Sequence, residues 1–562
     1  MLPLRSVRPW LLAAAFAPLA FLVTPTFAVE VAPAPRAAGT LPEIKTPDDL
    51  DQALMIEIKQ RSELMKNLQY LSDVIGGRLT GSKNVERANN WTAERMKAYG
   101  LVNVHLEPWE IPVGWERGFA RMKVIEPESG RELTIASAGW SPGTKGKVIG
   151  DVVLVKAKNK ADLEAYKGKL KNAVVLMNPP SNVKPVSDLS YPPPPGPLTK
   201  EESKKDAPLK DGLKKEIPKK EAIQKEVPKK DEPKKDEPKK DEPKKDEPKK
   251  DEQPGGGGRF GGGQPGFRAD LNEFFKAEGV ACTVSDSGKP HGLLNMTGQW
   301  PSDRAGGGET RIPQVFMVHE HYAMLYRLAG RTDAKTRVEV EIENKFIPGP
   351  VAVYNTVGEV RGSEKPDEVV VVGAHLDSWD LGTGTTDNGT GSCVVLETAR
   401  AVATLAAMGN KPKRTIRFVL FTGEEEGLWG SKRYVERHKE ELDKHSAALV
   451  HDTGTGRVIG FALHNRKSCM TVLEPELKTL STIEGWKGMD LGGLGGTDHL
   501  SFHAQGVPGF ACRQDMDEYR LTHHSQSDTF DKAKEPNLVQ GAQIMAITAM
   551  RIANLPEMLP RK

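Results

Sequence analysis

The sequence predicts an α/β protein: a mostly parallel mixed sheet flanked by helices, carrying an inserted smaller α/β unit and a disordered segment. Three observations lead there. From residue 369 to residue 450, short apolar runs alternate with stretches of helical spacing. That order builds a mostly parallel sheet covered on both faces. A second group of strand and helix signals occupies 127–346, and within it about Lys184 to Phe267 is almost free of apolar side chains. The 562 residues also exceed one ordinary core, so two or more domains are expected.

The chain opens on MLPLRSVRPWLLAAAFAPLAFLVTPTFAVEV, where Arg5 and Arg8 precede an apolar stretch from Trp10 to about Val23 and small residues up to Ala28. This is the layout of a secretory signal, read as residues 1–28. An uncleaved anchor is the alternative, disfavoured by Pro18 and the short apolar run. No later run reaches the ~20 apolar residues of a membrane span. The expected protein is secreted or periplasmic, with no stable span after cleavage.

Residues 29–126 form the first part of the main domain, with helical spacing on either side of the turn GGRLTGS. The inserted unit follows at 127–346. GKVIGDVVLVK and LKNAVVLMN read as strands with NKADLEAYKGKL as a helix between them, and TRVEVEIENKF alternates strictly. Inside it, 184–267 runs from a proline cluster through four repeats of DEPKK into glycine-rich sequence. A proline in each repeat removes a backbone donor, and nothing apolar offsets the entropy of ordering. The main domain resumes at 347–562 with strands at 369–374, 415–421 and 446–450, helices at 391–408 and 431–442, a helix near 470–483 and a short strand around VPGFAC.

Composition excludes several functions. A net charge of +3 with 6% aromatic residues gives no case for a nucleic-acid partner. The four cysteines include no C-x-x-C pair, so a thiolate zinc site is disfavoured, and a single bridge, Cys469 with Cys512, is only a guess.

The chemistry gathers where strands end, the place where α/β sheets collect their sites. VVVVGA is followed by His375, Asp377 and Asp387; TIRFVLFTG by Glu424, Glu425 and Glu426; SAALVH by Asp452; and LTHHSQSDTFD supplies His523, His524 and Asp528. Any one of these alone is better read as a loop or capping residue. Together they would crowd acids at one rim, at a high cost of repulsion and desolvation that a divalent cation removes. Imidazole and carboxylate without thiolate suit zinc or a similar first-row ion. Two histidines and three carboxylates suffice for two ions if one carboxylate bridges, leaving Glu424 beside Glu425 as an unligated base.

GAHLDSWDLGTGTTDNGTG, FTGEEEGLWGS, HDTG, GGTDHLSFHAQGVPGF and HHSQSDTFD, in this order and spacing, resemble the M28 family of zinc exopeptidases, in particular its plasma glutamate carboxypeptidase branch. LSDVIGGRLTGSKNVERANNW resembles the opening of such enzymes, and 127–346 looks like their protease-associated insertion. The resemblance implies the zinc-dependent exopeptidase fold and two Zn²⁺ per chain. His375 and Asp452 would hold one ion, Glu425 and His524 the other, and Asp387 would bridge. Glu424 matches the general base and Asp377 the aspartate that orients His375. His524 is preferred to His523 because the family's H-x-x-x-D spacing is met with Asp528. One departure is that LGGLGGTDH lacks the tyrosine that some relatives carry before this block, leaving Tyr519 or glycine amides to bind the oxyanion.

The function these residues imply is a secreted metallopeptidase, an aminopeptidase or dipeptidase of small peptides, using a metal-bridging hydroxide and a glutamate base. Alternatives are a carboxypeptidase acting on blocked peptides, a glutaminyl-cyclase-like acyltransferase, and an inactive receptor-like binding protein. Small peptides are the expected partners, and a homodimer is left open.

Overall fold

The valine run Val369–Val372 shows why the main sheet needs cover on both faces. Val370, Val372 and Ala374 enter one apolar cluster with the helices Thr390–Ala407 and Glu535–Asn554, while Val369 and Val371 enter another with Phe421, Tyr434 and Phe502. Side chains alternate between the faces of a strand, so a strand buried on both sides reads as an unbroken apolar run. Each buried valine stabilises the fold by roughly 1.5–3 kcal/mol.

A computed structural model describes residues 41–127, 130–183, 267–301, 311–516 and 519–561. The signal-like segment 1–28 and residues 184–266 of the charged insert lie outside the described residues. The strands are β1 (Val102–Ile111), β2 (Gly114–Glu126), β3 (Glu132–Leu133), β4 (Ile135–Ser137), β5 (Val148–Leu154), β6 (Val174–Leu176), β7 (Cys282–Asp286) and β8 (Gln314–Met317). They continue with β9 (Arg337–Ile347), β10 (Val351–Val360), β11 (Lys365–His375), β12 (Arg414–Phe421), β13 (His445–Val450), β14 (Val458–Ala462), β15 (Met489–Asp490) and β16 (Gly509–Gln514).

These build two eight-stranded sheets. The main one has the order β1-β10-β12-β11-β13-β16-β14-β15. Its centre, β12-β11-β13-β16, is parallel, and β10 and β14 join it antiparallel on either side. The carboxyl ends of the central strands therefore share one rim. This is the mixed, mostly parallel architecture that the strand and helix alternation predicts.

The second sheet, β3-β2-β9-β5-β6-β7-β8-β4, is made wholly of chain lying between β1 and β10. It begins at Gly114 rather than at residue 127, because β2 pairs with β9 from Gly114↔Ile347 onward. The pairing shifts register between Arg117 and Ala120, which breaks the alternation that would have revealed this strand. Two other expectations are corrected. Phe267 opens the helix Phe267–Glu278 instead of closing the charged insert, and the helix expected over 159–170 is a short 3₁₀ helix, Ala161–Tyr166.

Tryptophans join the two sheets. Trp109 of β1, Trp115 of β2, Trp140, Trp300 and Trp379 share one buried cluster with Trp429 packed against it. Trp140 meets Trp300 edge-on at 5.4 Å, and its indole N–H donates to the Val113 carbonyl at 3.1 Å. Cys282, Cys393, Cys469 and Cys512 are all buried free thiols, so the guessed bridge does not form. Cys469 instead donates to the Pro560 carbonyl. Among the described residues, no helix is long and apolar enough to cross a membrane.

Candidate metal centre

His375 is the last residue of β11, where the buried strand meets the rim. Its Nδ1 faces the Asp377 carbonyl at 3.0 Å, which fixes Nδ1 as the donor and aims Nε2 into the rim. There Nε2 lies 2.9 Å from Asp452 Oδ1, 3.4 Å from Asp387 Oδ1 and 3.9 Å from Glu424 Oε2. On the other side, His524 Nε2 lies 3.0 Å from Glu425 Oε2 and 3.5 Å from Asp387 Oδ2. Asp387 thus turns one oxygen to each histidine. The predicted residues His375, Asp387, Glu424, Glu425, Asp452 and His524 come together in one buried cluster.

Each arrives by a local device. After β12, the three glutamates sit between Gly423 and Gly427, both in the left-handed region (φ 85° and 122°). A Cβ on Gly423 would come within 2.7 Å of the Trp109 ring, so the turn needs glycine there. Glu426 points elsewhere, accepting from the Thr80 hydroxyl at 2.8 Å. Asp377 is wholly buried and accepts from Thr80 at 3.2 Å and from the Glu425 amide at 3.3 Å, which ties the His375 loop to the glutamate turn. Asp387 has a non-helical backbone (φ −131°, ψ 89°) in the kinked segment Thr385–Gly389 that leads into the helix Thr390–Ala407. Asp528 receives the amides of Thr386 and Asp387, the latter at 3.1 Å. The H-x-x-x-D spacing therefore serves to hold the Asp387 turn.

His523 also approaches Asp387, at 3.8 Å, and its ring stacks on His524 at 3.6 Å between centroids. Among the described residues it has no second carboxylate such as Glu425 gives His524, and its side chain is 41% exposed against 17% for His524. Tyr519 stands with its ring 5.1 Å from that of His523 and feels the charges of Asp387, Asp452 and Glu425. Gly454 permits this, since a Cβ there would meet the tyrosine ring at 2.5 Å.

The electrostatics are those of a cation site. Burial opposes charge on His375, yet the carboxylates of Asp452 and Glu424 hold its pKa well above the usual imidazole value. Burial pushes the Glu424 and Glu425 carboxyls well up, with Asp387 adding to the effect at Glu425. Burial would also raise Asp387, but the hydrogen bond from His375 and the charges of His523 and His524 take it far down. Without a cation, the cluster must recruit protons to coexist. Asp387 Oδ2 is buried without a hydrogen-bond partner, and the donor atoms are imidazole nitrogens and carboxylate oxygens alone. His375, Asp387 and Asp452 form one group able to hold an ion, and Asp387 with the paired histidines forms another. These residues fit zinc.

Three residues of this neighbourhood escaped the sequence reading. Arg78, wholly buried, donates to the carbonyls of Leu376, Gly76, Thr383 and Gly384 and so shapes the loop after β11. Asp498 is wholly buried within reach of the His375, Asp452 and Asp377 charges, and burial pushes its carboxyl up to about 7. Lys289 comes from the second sheet's unit. A charged residue inside the turn GGRLTGS was the available signal for Arg78, and the block GGTDH carried Asp498.

A central parallel sheet that delivers imidazoles and carboxylates to a shared rim, in a geometry fit for zinc, defines a zinc metallopeptidase. Residues 355–549 match the model of peptidase family M28. The chain is 27% identical to mouse (Mus musculus) carboxypeptidase Q over 523 residues, 92% of each sequence. In fold it is similar to a peptidase M28 precursor from Shewanella amazonensis SB2B, with a TM-score of 0.65 and 23% identity over 92% of this chain and 98% of that one. It is also similar in fold to BSAP, a zinc aminopeptidase from Bacillus subtilis, with a TM-score of 0.53 and 17% identity over 86% and 93% of the two chains.

Proposed function

We propose that the chain is a secreted or periplasmic exopeptidase of the dizinc type, hydrolysing small peptides as an aminopeptidase or dipeptidase. The observation that carries this reading is the division of Asp387, with Oδ1 3.4 Å from His375 and Oδ2 3.5 Å from His524. A carboxylate so divided has the form of a bridge between two sites. His375 and Asp452 would hold one ion, and Glu425 and His524 the other.

Two zinc ions, when bound, would polarise the scissile carbonyl and lower the pKa of a water held between them. The chain's own residues supply the remainder. Asp377 accepts from His375 through its carbonyl and keeps the Nε2 lone pair aimed inward. Glu424 makes no close pair with either His524 or Asp387, and its Oε2 stands 3.9 Å from His375. It is the carboxylate free to take a proton from the attacking water and return it to the leaving amine. Tyr519, beside His523 and within the field of the rim carboxylates, is suited to donate to the oxyanion. The second sheet's unit is read as a protease-associated wall, which the hydrogen bond from Met296 to the His524 carbonyl supports.

Elemental analysis of the dialysed protein, paired with a peptide panel, tests this. The expected result is two zinc ions per chain and release of single residues from short peptides. Glu424→Gln is expected to keep zinc and fold while kcat falls ~10²–10⁴-fold. One zinc per chain, or a fully active Glu424→Gln variant, overturns the reading.

A further inference from the structure

Asp380 lies in the loop between His375 and Asp387, and the inserted unit reaches it with Arg117 of β2. The contact is a bidentate fork: Arg117 Nε donates to Asp380 Oδ2 at 2.9 Å and Nη2 to Oδ1 at 2.7 Å. Arg117 pairs with Asn344 and Ala120 with Ile342, so two residues of β2, Gly118 and Phe119, face the single Glu343 of β9. A bulge of this kind re-aims a side chain. Gly118 makes it possible, because a Cβ there would collide with the Glu343 carbonyl at 1.7 Å. The guanidinium is fixed from several sides. Nη1 donates to the Ser137 carbonyl, Nη2 meets Met296 Sδ at 3.5 Å, and the Trp115 ring lies 4.9 Å from the guanidinium carbon.

Two lines of contact run from this pair, and both end at Glu425 and His524. Trp379, the neighbour of Asp380, donates its amide to Glu425 Oε1 at 3.3 Å, and its ring meets the His524 ring edge-on at 6.0 Å. Met296, which Arg117 touches, donates its own amide to the His524 carbonyl at 2.7 Å. The two ends of the loop are held separately. Arg78 donates to the Leu376 carbonyl at one end and to those of Thr383 and Gly384 at the other. Asp387, which serves both halves of the centre, is pinned by Asp528. Asp452 follows β13, on a separate segment. His375 and Asp387 therefore keep their places through Arg78 and Asp528, while the tip carrying Trp379 and Asp380 is anchored by Arg117.

We infer that Arg117 is a positioning residue for one half of the metal centre, the pair Glu425 and His524. The inserted unit then sets how firmly this half holds its ion, while the half formed by His375 and Asp452 is indifferent to it. This rests on the dizinc reading above and deepens it. The affinity of a metal site depends on how rigidly its ligands are presented, and supporting contacts around them change it ~10–100-fold. The fork can supply such restraint because both side chains are largely withdrawn from water, at 15% and 18% exposure. Without Arg117, Asp380 would be one more unpaired acid beside a rim already crowded with carboxylates, and the tip would shift to solvate it.

The test measures zinc affinity of the full chain by chelator competition. Arg117→Met is expected to separate the two ions, one being weakened ~10-fold or more and the other unchanged. Two backgrounds that each spare one half assign the weakened ion: His524→Ala leaves His375 and Asp452, and Asp452→Ala leaves Glu425 and His524. Arg117→Met is expected to weaken the remaining ion in the Asp452→Ala chain and to leave it unchanged in the His524→Ala chain. Arg117→Lys, which keeps the charge without the fork, is expected to recover part of the affinity. Asp380→Asn, nearly isosteric, is expected to reproduce the Arg117→Met result and decides the question if Arg117→Met does not fold, as the melting temperature of each metal-free protein will show. Equal weakening of both ions, or no weakening of either, overturns the inference. A wild-type chain that binds a single zinc overturns instead the dizinc reading beneath it.

Discussion

The amide of Met296, in the second sheet's unit, donates to the carbonyl of His524, in the main domain, at 2.7 Å. His524 has a left-handed backbone (φ 57°), a conformation that non-glycine residues adopt only when held there. The inserted unit therefore supports a residue of the candidate centre through the main chain. Met296→Pro removes that donor without changing a rim side chain. It is expected to weaken zinc binding ~10-fold or more, in line with the loss of a supporting contact around a ligand. Chelator competition measures this, and unchanged zinc affinity in a folded variant would contradict it.

Arg78 is the keystone of the loop after β11. Its guanidinium is wholly buried, and four carbonyls lose their donor if it is shortened. Burial lowers its pKa, an effect the charges of Asp528, Asp377 and Asp387 oppose. Arg78→Met is expected to cost ~3 kcal/mol or more in stability, the scale of leaving several buried acceptors unpaired. Urea unfolding of the metal-free protein reads this directly, and a loss below ~1 kcal/mol would mean the loop is held by other contacts.

Zinc should stabilise the protein more as pH rises. In the metal-free protein the pKa values of Glu424 and Glu425 are raised by burial, and that of His375 is raised by Asp452 and Glu424 against its burial. Groups with raised pKa bind more protons folded than unfolded once pH exceeds the carboxylate value of 4.5. Their stabilisation is complete below that value and is lost as pH climbs through the folded values. Zinc takes the place of these protons, so its affinity rises with pH. The increment in melting temperature on adding zinc is expected to be larger at about pH 8 than at about pH 6. An increment that shrinks over this interval would contradict the cage.

What could be read from the sequence followed from how far each signal depends on distant chain. The run Val369–Val372 and the residues just beyond its end are local, and β11 lies where the run predicts. The convergence of His375 with His524 was legible because each follows a recognisable block. The helix Glu535–Asn554 was not, since it is buried nearly all round and shows no polar face to mark its period. Nor were β1 and β10, because β1 has its pairing partner in distant chain, from Val102↔Glu359 to Ile111↔Val351, and β10 in turn pairs with β12. Lys289 looked like one lysine among many. Only the packing of the second sheet against the loop of His524 distinguishes it from a solvated surface charge.

His445 supplies a pH dependence remote from the centre. It is wholly buried at the start of β13, with Nδ1 facing the Glu441 carbonyl at 2.8 Å and Nε2 facing the Tyr434 hydroxyl at 3.1 Å. Those partners suit a neutral ring that donates at one nitrogen and accepts at the other. Burial lowers its pKa from 6.5 to about 4. The unfolded chain therefore binds this proton first as pH falls, and stability is lost between 6.5 and about 4, with no further loss from this group below that. Over the whole window the group's share is about 3 kcal/mol. His445→Gln, which keeps hydrogen-bonding capacity without a titrating proton, is expected to be less stable than wild type at neutral pH yet to show a shallower decline towards pH 4. Urea unfolding midpoints across the window measure both slopes. Identical slopes would show that His445 is already charged in the folded protein.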